Sequence, residues 1–199
     1  LIAALVLLAV LAAVPVAAVL GLTTIGLDLL YADGRLQRTF GSFLWDTSSS
    51  FALVAIPLFV LLGEIVLRSG IAAQMYAAVA KWLGWLPGGL MHANIGCSAI
   101  FAATSGSSVA TAATIGTVAY PEIERHGYRE SVFLGSVAAG GTLGILIPPS
   151  VPLIVYGVMT QTSILELYLA GLIPGIAMAV MFGLTILALS VLGNRVDGE

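Results

Sequence analysis

Long stretches without charge constrain this chain more than any other feature of its sequence. Residues 1–27 contain no Asp, Glu, Lys or Arg, and residues 91–120 form a second uncharged run of 30 residues. All 199 residues include only 7 Lys+Arg and 10 Asp+Glu, whereas about a quarter of a soluble domain is charged. So few charges cannot cover a globule in water, and helices satisfy their own backbone in lipid. The sequence therefore predicts an all-α integral membrane protein surrounded by membrane lipid.

The remaining composition excludes several classes of function. A net charge of −3 is incompatible with an extended nucleic-acid-binding surface. A single cysteine, Cys97, excludes an internal disulfide, and the two histidines, His92 and His126, are too few and too far apart for a multi-histidine metal centre. We find no nucleophile paired with a base, so the sequence does not predict an enzyme.

Helix length divides the chain into membrane segments, because a helix needs about 20 apolar residues to cross the hydrocarbon core. Residues 1–27 and 164–192 are predicted transmembrane helices, and residues 51–86 are predicted to form two apolar membrane helices. Residues 28–50 mix charged and aromatic side chains, which predicts an amphipathic connection at the lipid interface. If Leu1 faces outside, six of the 7 Lys+Arg lie on the cytoplasmic side, as the positive-inside rule requires.

The uncharged run at residues 91–120 is interrupted in its middle by small polar residues, Ser105, Gly106, Ser107 and Ser108. Each arm has about 14 residues, roughly 21 Å of helix, which is too short to cross a bilayer. We therefore predict a re-entrant hairpin with its tip at residues 105–108. Irregular backbone at that depth persists only where protein buries it or where it lines a wet cavity.

Residues 131–161 form a second interrupted segment. Three glycines are expected to loosen its helix, namely Gly140, Gly141 and Gly144. Three prolines remove backbone donors after them, namely Pro148, Pro149 and Pro152. The pattern predicts a discontinuous transmembrane helix. Small residues also allow membrane helices to pack closely, which is the alternative interpretation of the glycines and of Ala112, Ala113 and Thr114.

Two broken helices that meet in a membrane can bind ions and substrate without a buried charge, because their free N–H and C=O groups carry partial charges. Hydroxyl groups are available in the two segments at Ser105, Ser107, Ser108, Thr111 and Thr142. Neither residues 91–120 nor residues 131–161 contain a carboxylate. Neutral oxygens can hold a sodium ion, but they are not groups that take up a proton, so these segments predict a sodium site.

The two interrupted segments resemble a known family. Residues 105–116 read SGSSVATAATIG, and residues 141–157 read GTLGILIPPSVPLIVYG. Both are similar to signature stretches of the large membrane subunit (DctM-like) of tripartite ATP-independent periplasmic (TRAP) transporters, with supporting similarity at residues 56–64, 68–71 and 169–175. The resemblance implies an elevator-type transporter built from two inverted halves, each with one re-entrant hairpin and one discontinuous helix. This chain has one of each and begins with Leu1, so we expect it to be the N-terminal half, with the remaining half of the large subunit as its partner.

The resemblance also implies a function and its site residues. Transporters of this family are sodium-driven, lie in the bacterial cytoplasmic (inner) membrane, and work with a small four-span membrane subunit and a periplasmic substrate-binding protein. Their substrates are small organic acids such as dicarboxylates, keto acids or sugar acids. By motif position the sodium site would include Ser105, Thr111, Gly141 and Gly144. The substrate-facing tip would include Ser105, Gly106, Ser107, Ser108, Thr142, Pro148 and Pro149. Many relatives carry Asp at the position of Thr111, and often Ser at the position of Gly141.

Two other functions remain open at this point. A related ion-coupled anion transporter could share the hairpin architecture without a binding protein. A channel-like or structural membrane subunit is a different class, but a pore requires a ring of charges or carbonyls repeated by symmetry, and the sequence has no such repeat. A structural subunit has no need for two Gly- and Pro-containing breaks.

Overall fold

A computed structural model describes residues 14–31 and 35–192 of the chain. Its regular elements are helices, and the described residues contain no strand, which confirms the predicted all-α class. The chain divides into two compact units, Leu1–Ser50 and Phe51–Glu199. Residues 1–13 of the predicted first transmembrane helix lie outside the described residues.

The first unit contains two helices, α1 (Val16–Tyr31) and α2 (Arg35–Ser48). Helix α1 begins directly after Pro15, where proline is tolerated because the first turn of a helix has no use for its missing N–H. It continues past residue 27, the predicted end of the first span, and takes Asp28 into its last turn. Helix α2 occupies most of the predicted amphipathic connection and exposes the aromatic side chains of Phe40 and Trp45.

The second unit opens with a 3-10 turn, Phe51–Val54, followed by α3 (Ala55–Arg68) and α4 (Ile71–Leu83). Gly70 separates the two helices with a positive φ of 76°. The segment Phe51–Arg68 is long and apolar enough to cross a membrane. Helix α4 has 13 residues and is about 20 Å long, which is too short to cross alone. Residues 51–86 thus contain two helices, of which the first reaches spanning length together with the 3-10 turn before it.

The next two helices form a hairpin, α5 (Leu90–Ser105) and α6 (Ser108–His126). Helix α6 does not end with the uncharged run at residue 120 but continues through Pro121 to His126. Proline removes only one helical hydrogen bond there, and Glu122 pairs with Arg125 (2.8 Å) and with His126 (3.3 Å) in the last turn. The helix ends at Gly127, whose φ is +67°.

The predicted discontinuous helix is present as α7 (Glu130–Leu146) and α8 (Val151–Thr160), interrupted at residues 147–150. The prediction that glycines loosen it is wrong, because Gly140, Gly141 and Gly144 all lie inside the continuous helix α7. A glycine inside a helix costs only about 1 kcal/mol. The interruption comes instead at Pro148 and Pro149, which have no N–H to donate.

Three glycines of α7, Gly140, Gly141 and Gly144, serve close packing. A Cβ on Gly140 would clash with Ser98 Oγ on α5, and one on Gly141 would lie 2.7 Å from the Cβ of Ala112 on α6. The last helix, α9 (Ile164–Leu192), approaches the end of α7 in the same way through Gly171, where a Cβ would lie 3.0 Å from the Leu146 carbonyl oxygen. Helices α5 and α7 therefore lie at the centre of the second unit, surrounded by α3, α4, α6 and α9.

Three segments of the described chain are long and apolar enough to cross a membrane: Phe51–Arg68, Glu130–Thr160 and Ile164–Leu192. Most of their surface is not buried inside the protein. Apolar side chains are exposed along α3 and α9, such as Leu58, Leu61, Ile173 and Leu184. An apolar exterior of this extent requires a lipid environment, so the protein is membrane-embedded.

Candidate functional site

The tip of the hairpin consists of two residues between α5 and α6. Gly106 takes a left-handed conformation (φ +61°) and ends α5, with its N–H bonded to the Ala102 carbonyl at 3.0 Å. Ser107 is extended and caps α6, because its Oγ accepts a hydrogen bond from the Ala110 N–H at 3.3 Å. A glycine followed by a serine therefore reverses the chain direction with only two residues between the helices.

Two hydroxyl groups are buried beneath the tip. Ser105 Oγ and Thr111 Oγ1 lie 3.1 Å apart, and their residues are 1% and 0% exposed. Thr111 donates its one hydroxyl proton to the Ser107 carbonyl at 2.7 Å, so Ser105 is the donor in the contact between the two hydroxyls. The two hydroxyls and the Ser107 carbonyl form a compact group of three oxygens, which we call the tip oxygen cluster.

The tip lies against the interruption between α7 and α8. The Gly106 carbonyl accepts a hydrogen bond from the Val151 N–H, the first of α8, at 3.0 Å. A Cβ on Gly106 would lie 2.9 Å from the Pro149 carbonyl oxygen, and one on Gly144 would lie 2.7 Å from the backbone of Ser107. Two positions without side chains thus allow the backbones of the two interrupted segments to touch.

The interruption leaves backbone carbonyls of α7 without their helical donors. Pro148 and Pro149 cannot donate to the carbonyls four residues earlier, those of Gly144 and Ile145. The Ser150 hydroxyl replaces the missing donor for Ile145, at 2.6 Å. Within the described residues, no side-chain donor replaces the missing one for the carbonyl of Gly144, a residue that lies at the level of the hairpin tip.

The structure brings together most, but not all, of the residues predicted to form the site. Those in contact around the tip are Ser105, Gly106, Ser107, Ser108, Thr111, Gly144 and Pro149. Gly141 lies about one turn before Gly144 on α7, away from the tip and against Ala112. Thr142 is exposed and donates to the Ala139 carbonyl of its own helix at 2.6 Å. Pro148 belongs to the interruption and is half-buried.

Three further residues adjoin the tip without having been predicted. Val151 supplies the backbone donor, and Ser150 supplies the hydroxyl that satisfies the end of α7. Gly63 of α3 adjoins the tip as well, because a Cβ there would lie 3.2 Å from the Cβ of Ser105. The serine directly after the two prolines could have indicated a cap. Nothing local to Gly63 distinguishes it from other glycines in apolar helices.

Four helix ends therefore meet at one place. The N-termini of α6 and α8 carry partial positive charge, which favours an anionic group nearby. The C-termini of α5 and α7, with the tip oxygen cluster, offer hydroxyl and carbonyl oxygens, which suit a hard monovalent cation. The described residues contain no group of three or more His, Cys, Asp or Glu side chains that could hold a metal ion. The arrangement can thus accommodate a small cation and an anion with neutral groups.

Comparison with known proteins shows the family of this chain. Residues 1–194 match the family model described as "Tripartite ATP-independent periplasmic transporter, DctM component". The chain belongs to this family. The sequence is 38% identical over 144 residues to the C4-dicarboxylate TRAP transporter large permease protein DctM of Pseudomonas aeruginosa, covering 72% of this chain and 34% of that protein.

Other relatives carry different substrate names. The isethionate TRAP transporter permease protein DctMQ of Oleidesulfovibrio alaskensis is 38% identical over 178 residues, which cover 89% of this chain and 27% of that protein. The ectoine/5-hydroxyectoine TRAP transporter large permease protein UehC of Ruegeria pomeroyi is 32% identical, with coverage of 79% and 37%. The chain thus spans about a third of the length of these curated relatives. Such relatives are permeases, which agrees with the prediction of a transport protein rather than an enzyme.

Proposed function

We propose that this chain forms one half of the large membrane subunit of a sodium-coupled, binding-protein-dependent importer of small organic acids. The observation that carries the proposal is the contact between the hairpin tip and the interruption of α7–α8, through the Gly106 carbonyl and the Val151 N–H. In inverted-repeat transporters, half-helix ends of this kind hold the substrate and its coupling ion. Family membership supports the assignment to the TRAP class.

The chemistry of the tip oxygen cluster supports sodium as the coupling ion. Ser105, Thr111 and the Ser107 carbonyl present oxygens within hydrogen-bonding distance of one another, and they contain no carboxylate. A proton-coupled site would need an ionisable side chain there. Sodium would be held by these oxygens together with the Gly144 carbonyl, while Gly141 acts by packing rather than as a ligand.

The N-termini of α6 and α8 support a class of substrate. The partial positive charge at these helix ends favours a carboxylate or another oxyanion. The names of several relatives, which specify C4-dicarboxylate, isethionate and 2,3-diketo-L-gulonate, are those of small organic anions. We assign a small organic acid to this chain without choosing among dicarboxylate, keto acid and sugar acid. The remaining half of the large subunit would complete the site from the other side.

The complete assembly would lie in the bacterial inner membrane with a small four-span subunit and a periplasmic substrate-binding protein. The test is uptake by proteoliposomes that contain the full-length large subunit and the small subunit, with the binding protein added outside. The substrate is first chosen by thermal-shift screening of that binding protein against dicarboxylates, keto acids, sugar acids and sulfonates.

Uptake that starts on a sodium jump and requires the binding protein is the expected result. Uptake that follows an imposed proton gradient and ignores sodium would contradict the coupling assignment. Uptake without the binding protein would favour the related transporter class instead.

A re-entrant hairpin makes a separate prediction about topology. In a Cys97→Ala background, a cysteine placed at Ser107 should react slowly with a membrane-impermeant maleimide, because a re-entrant tip would end inside the membrane and Ser107 is only partly exposed. A cysteine at Arg68, which is exposed at the end of α3, serves as the freely labelled control. If Ser107→Cys labels from outside as rapidly as the control in every condition, α5 and α6 are two full spans.

A further inference from the structure

We infer that Asn94 is a positioning residue that sets the axial register of α5 against α7, and through it the geometry of the tip oxygen cluster. This inference rests on the proposed function, because the tip oxygen cluster matters only if it binds the coupling ion. Asn94 is 0% exposed and lies in the first half of α5. Its Nδ2 donates to Ser136 Oγ on α7 at 2.8 Å.

The orientation of the Asn94 amide is determined on both sides. Ser136 Oγ donates its one proton to the Phe133 carbonyl at 2.6 Å, so toward Asn94 it can only accept. The Tyr76 hydroxyl on α4 donates to Asn94 Oδ1 at 2.7 Å, so the amide oxygen faces α4 and the NH2 group faces α7. A buried chain of hydrogen bonds therefore links α4, α5 and α7, and each bond in it can have only one donor and one acceptor assignment.

The rest of the contact that α5 and the hairpin tip make with α7 is close packing without side-chain hydrogen bonds. One turn beyond Asn94, Ser98 lies against Gly140, and the Ser98 hydroxyl is buried without a hydrogen-bond partner. At the tip, the Ser107 backbone lies against Gly144. Within the described part of the chain, Asn94–Ser136 is the one side-chain hydrogen bond that joins these two helices. A hydrogen bond is directional and requires a donor–acceptor distance of about 3 Å, so this bond sets the register of the two helices along their axes.

The same two helices carry the proposed ligands. Ser105 follows Asn94 by 11 residues on α5, about 16 Å along the axis, and Gly144 follows Ser136 by 8 residues on α7. A slip by a fraction of the 1.5 Å rise per residue would move Gly144 relative to the Ser107 backbone that it contacts, and the Ser107 carbonyl belongs to the tip oxygen cluster. A binding site loses function when its supporting residues allow movements of this size. Asn94 would thus affect ion binding without touching the ion.

The test compares two buried serines at this interface in the full-length transporter with its partners. Ser136→Ala removes the acceptor of the Asn94 bond, whereas Ser98→Ala removes a hydroxyl of the same size that has no partner. We expect Ser136→Ala to raise the sodium concentration for half-maximal uptake about threefold or more, with the maximal rate per folded molecule largely retained at saturating sodium. Ser98→Ala should leave both values unchanged.

A second readout does not depend on transport. Nitroxide labels at Ile100→Cys on α5 and Ile145→Cys on α7, both exposed positions, report the distance between these helices in the Cys97→Ala protein. The distance distribution should broaden on Ser136→Ala and stay narrow on Ser98→Ala. If Ser136→Ala does not yield folded protein, Tyr76→Phe removes only the hydroxyl that orients Asn94 and should produce the same two changes.

Equal effects of Ser136→Ala and Ser98→Ala on both readouts would overturn the inference. So would a Ser136→Ala or Tyr76→Phe protein with an unchanged distance distribution and an unchanged sodium requirement. Failure of the proposed function is recognised separately, because in that case uptake by the unmodified transporter shows no sodium dependence at all.

Discussion

Gly144→Ala should reduce sodium-driven uptake by the complete transporter about tenfold or more. The added Cβ would lie 2.7 Å from the backbone of both Ser107 and Ser108, where neither partner is a flexible side chain. Overpacking of this kind costs about 1–3 kcal/mol. Relief requires the hairpin tip and α7 to separate, which displaces the Ser107 carbonyl of the tip oxygen cluster relative to α7. A displacement of about 1 Å at a site can reduce activity 100-fold.

The matched control lies on the same helix. Gly135 has no atom within 4 Å of an added Cβ, so Gly135→Ala should leave uptake unchanged. It should also slightly raise thermal stability, because alanine favours a helix over glycine by roughly 0.5–1 kcal/mol. Uptake is measured per folded molecule, with folding followed by size-exclusion chromatography in detergent. Equal uptake by the Gly144→Ala and Gly135→Ala proteins would show that close contact between tip and α7 is dispensable.

The second large effect is expected at the buried hydroxyls. Thr111→Val keeps the shape of the side chain but removes Oγ1, which contacts both Ser105 Oγ (3.1 Å) and the Ser107 carbonyl (2.7 Å). Loss of a hydroxyl that binds a charged ligand costs about 1.5–3 kcal/mol. We therefore expect Thr111→Val to raise the sodium concentration for half-maximal uptake about tenfold or more. Ser105→Ala should act in the same direction.

The converse substitution supplies a gain-of-function test. Thr111→Asp adds a negative charge beside the proposed cation and should lower the sodium requirement. Thr117→Val is the control, because Thr117 lies on the same helix, is exposed, and donates to the Ala113 carbonyl at 2.8 Å, four residues back as for Thr111. If Thr111→Val and Thr117→Val behave alike, the hydroxyls of the tip contribute to packing and the sodium ligands lie elsewhere.

The helix interruptions were predictable from the sequence because their causes are local. Two prolines in succession deny donors to the end of α7 wherever the helix is placed. Glycine readily takes the left-handed conformation that ends a helix, as at Gly106, and serine readily caps the start of the next helix, as at Ser107. Pro121 does not end α6, which continues to His126 with Glu122 paired to Arg125 in its last turn.

The composition of the site was only partly predictable. The sequence indicated a cluster of hydroxyls and small residues, and Ser105 and Thr111 do meet. It could not distinguish Gly144, which touches the tip, from Thr142, which faces outward two residues earlier. Which face of α7 meets the hairpin depends on the packing of α5 and α6 around it, and both faces of α7 are built from small or apolar residues.

The sequence by itself determined that this protein is a helical membrane protein, to which family it belongs, and where two of its helices are interrupted. The membrane class depends on the free energy of transferring charge into lipid, and the interruptions depend on backbone chemistry within a few residues. Only the tertiary structure decided that the Gly106 carbonyl bonds to the Val151 N–H, and that Asn94 bonds to Ser136. Both contacts join residues more than 40 positions apart. They arise because helices approach closely at glycines, and that approach is a property of packed surfaces rather than of any local stretch of sequence.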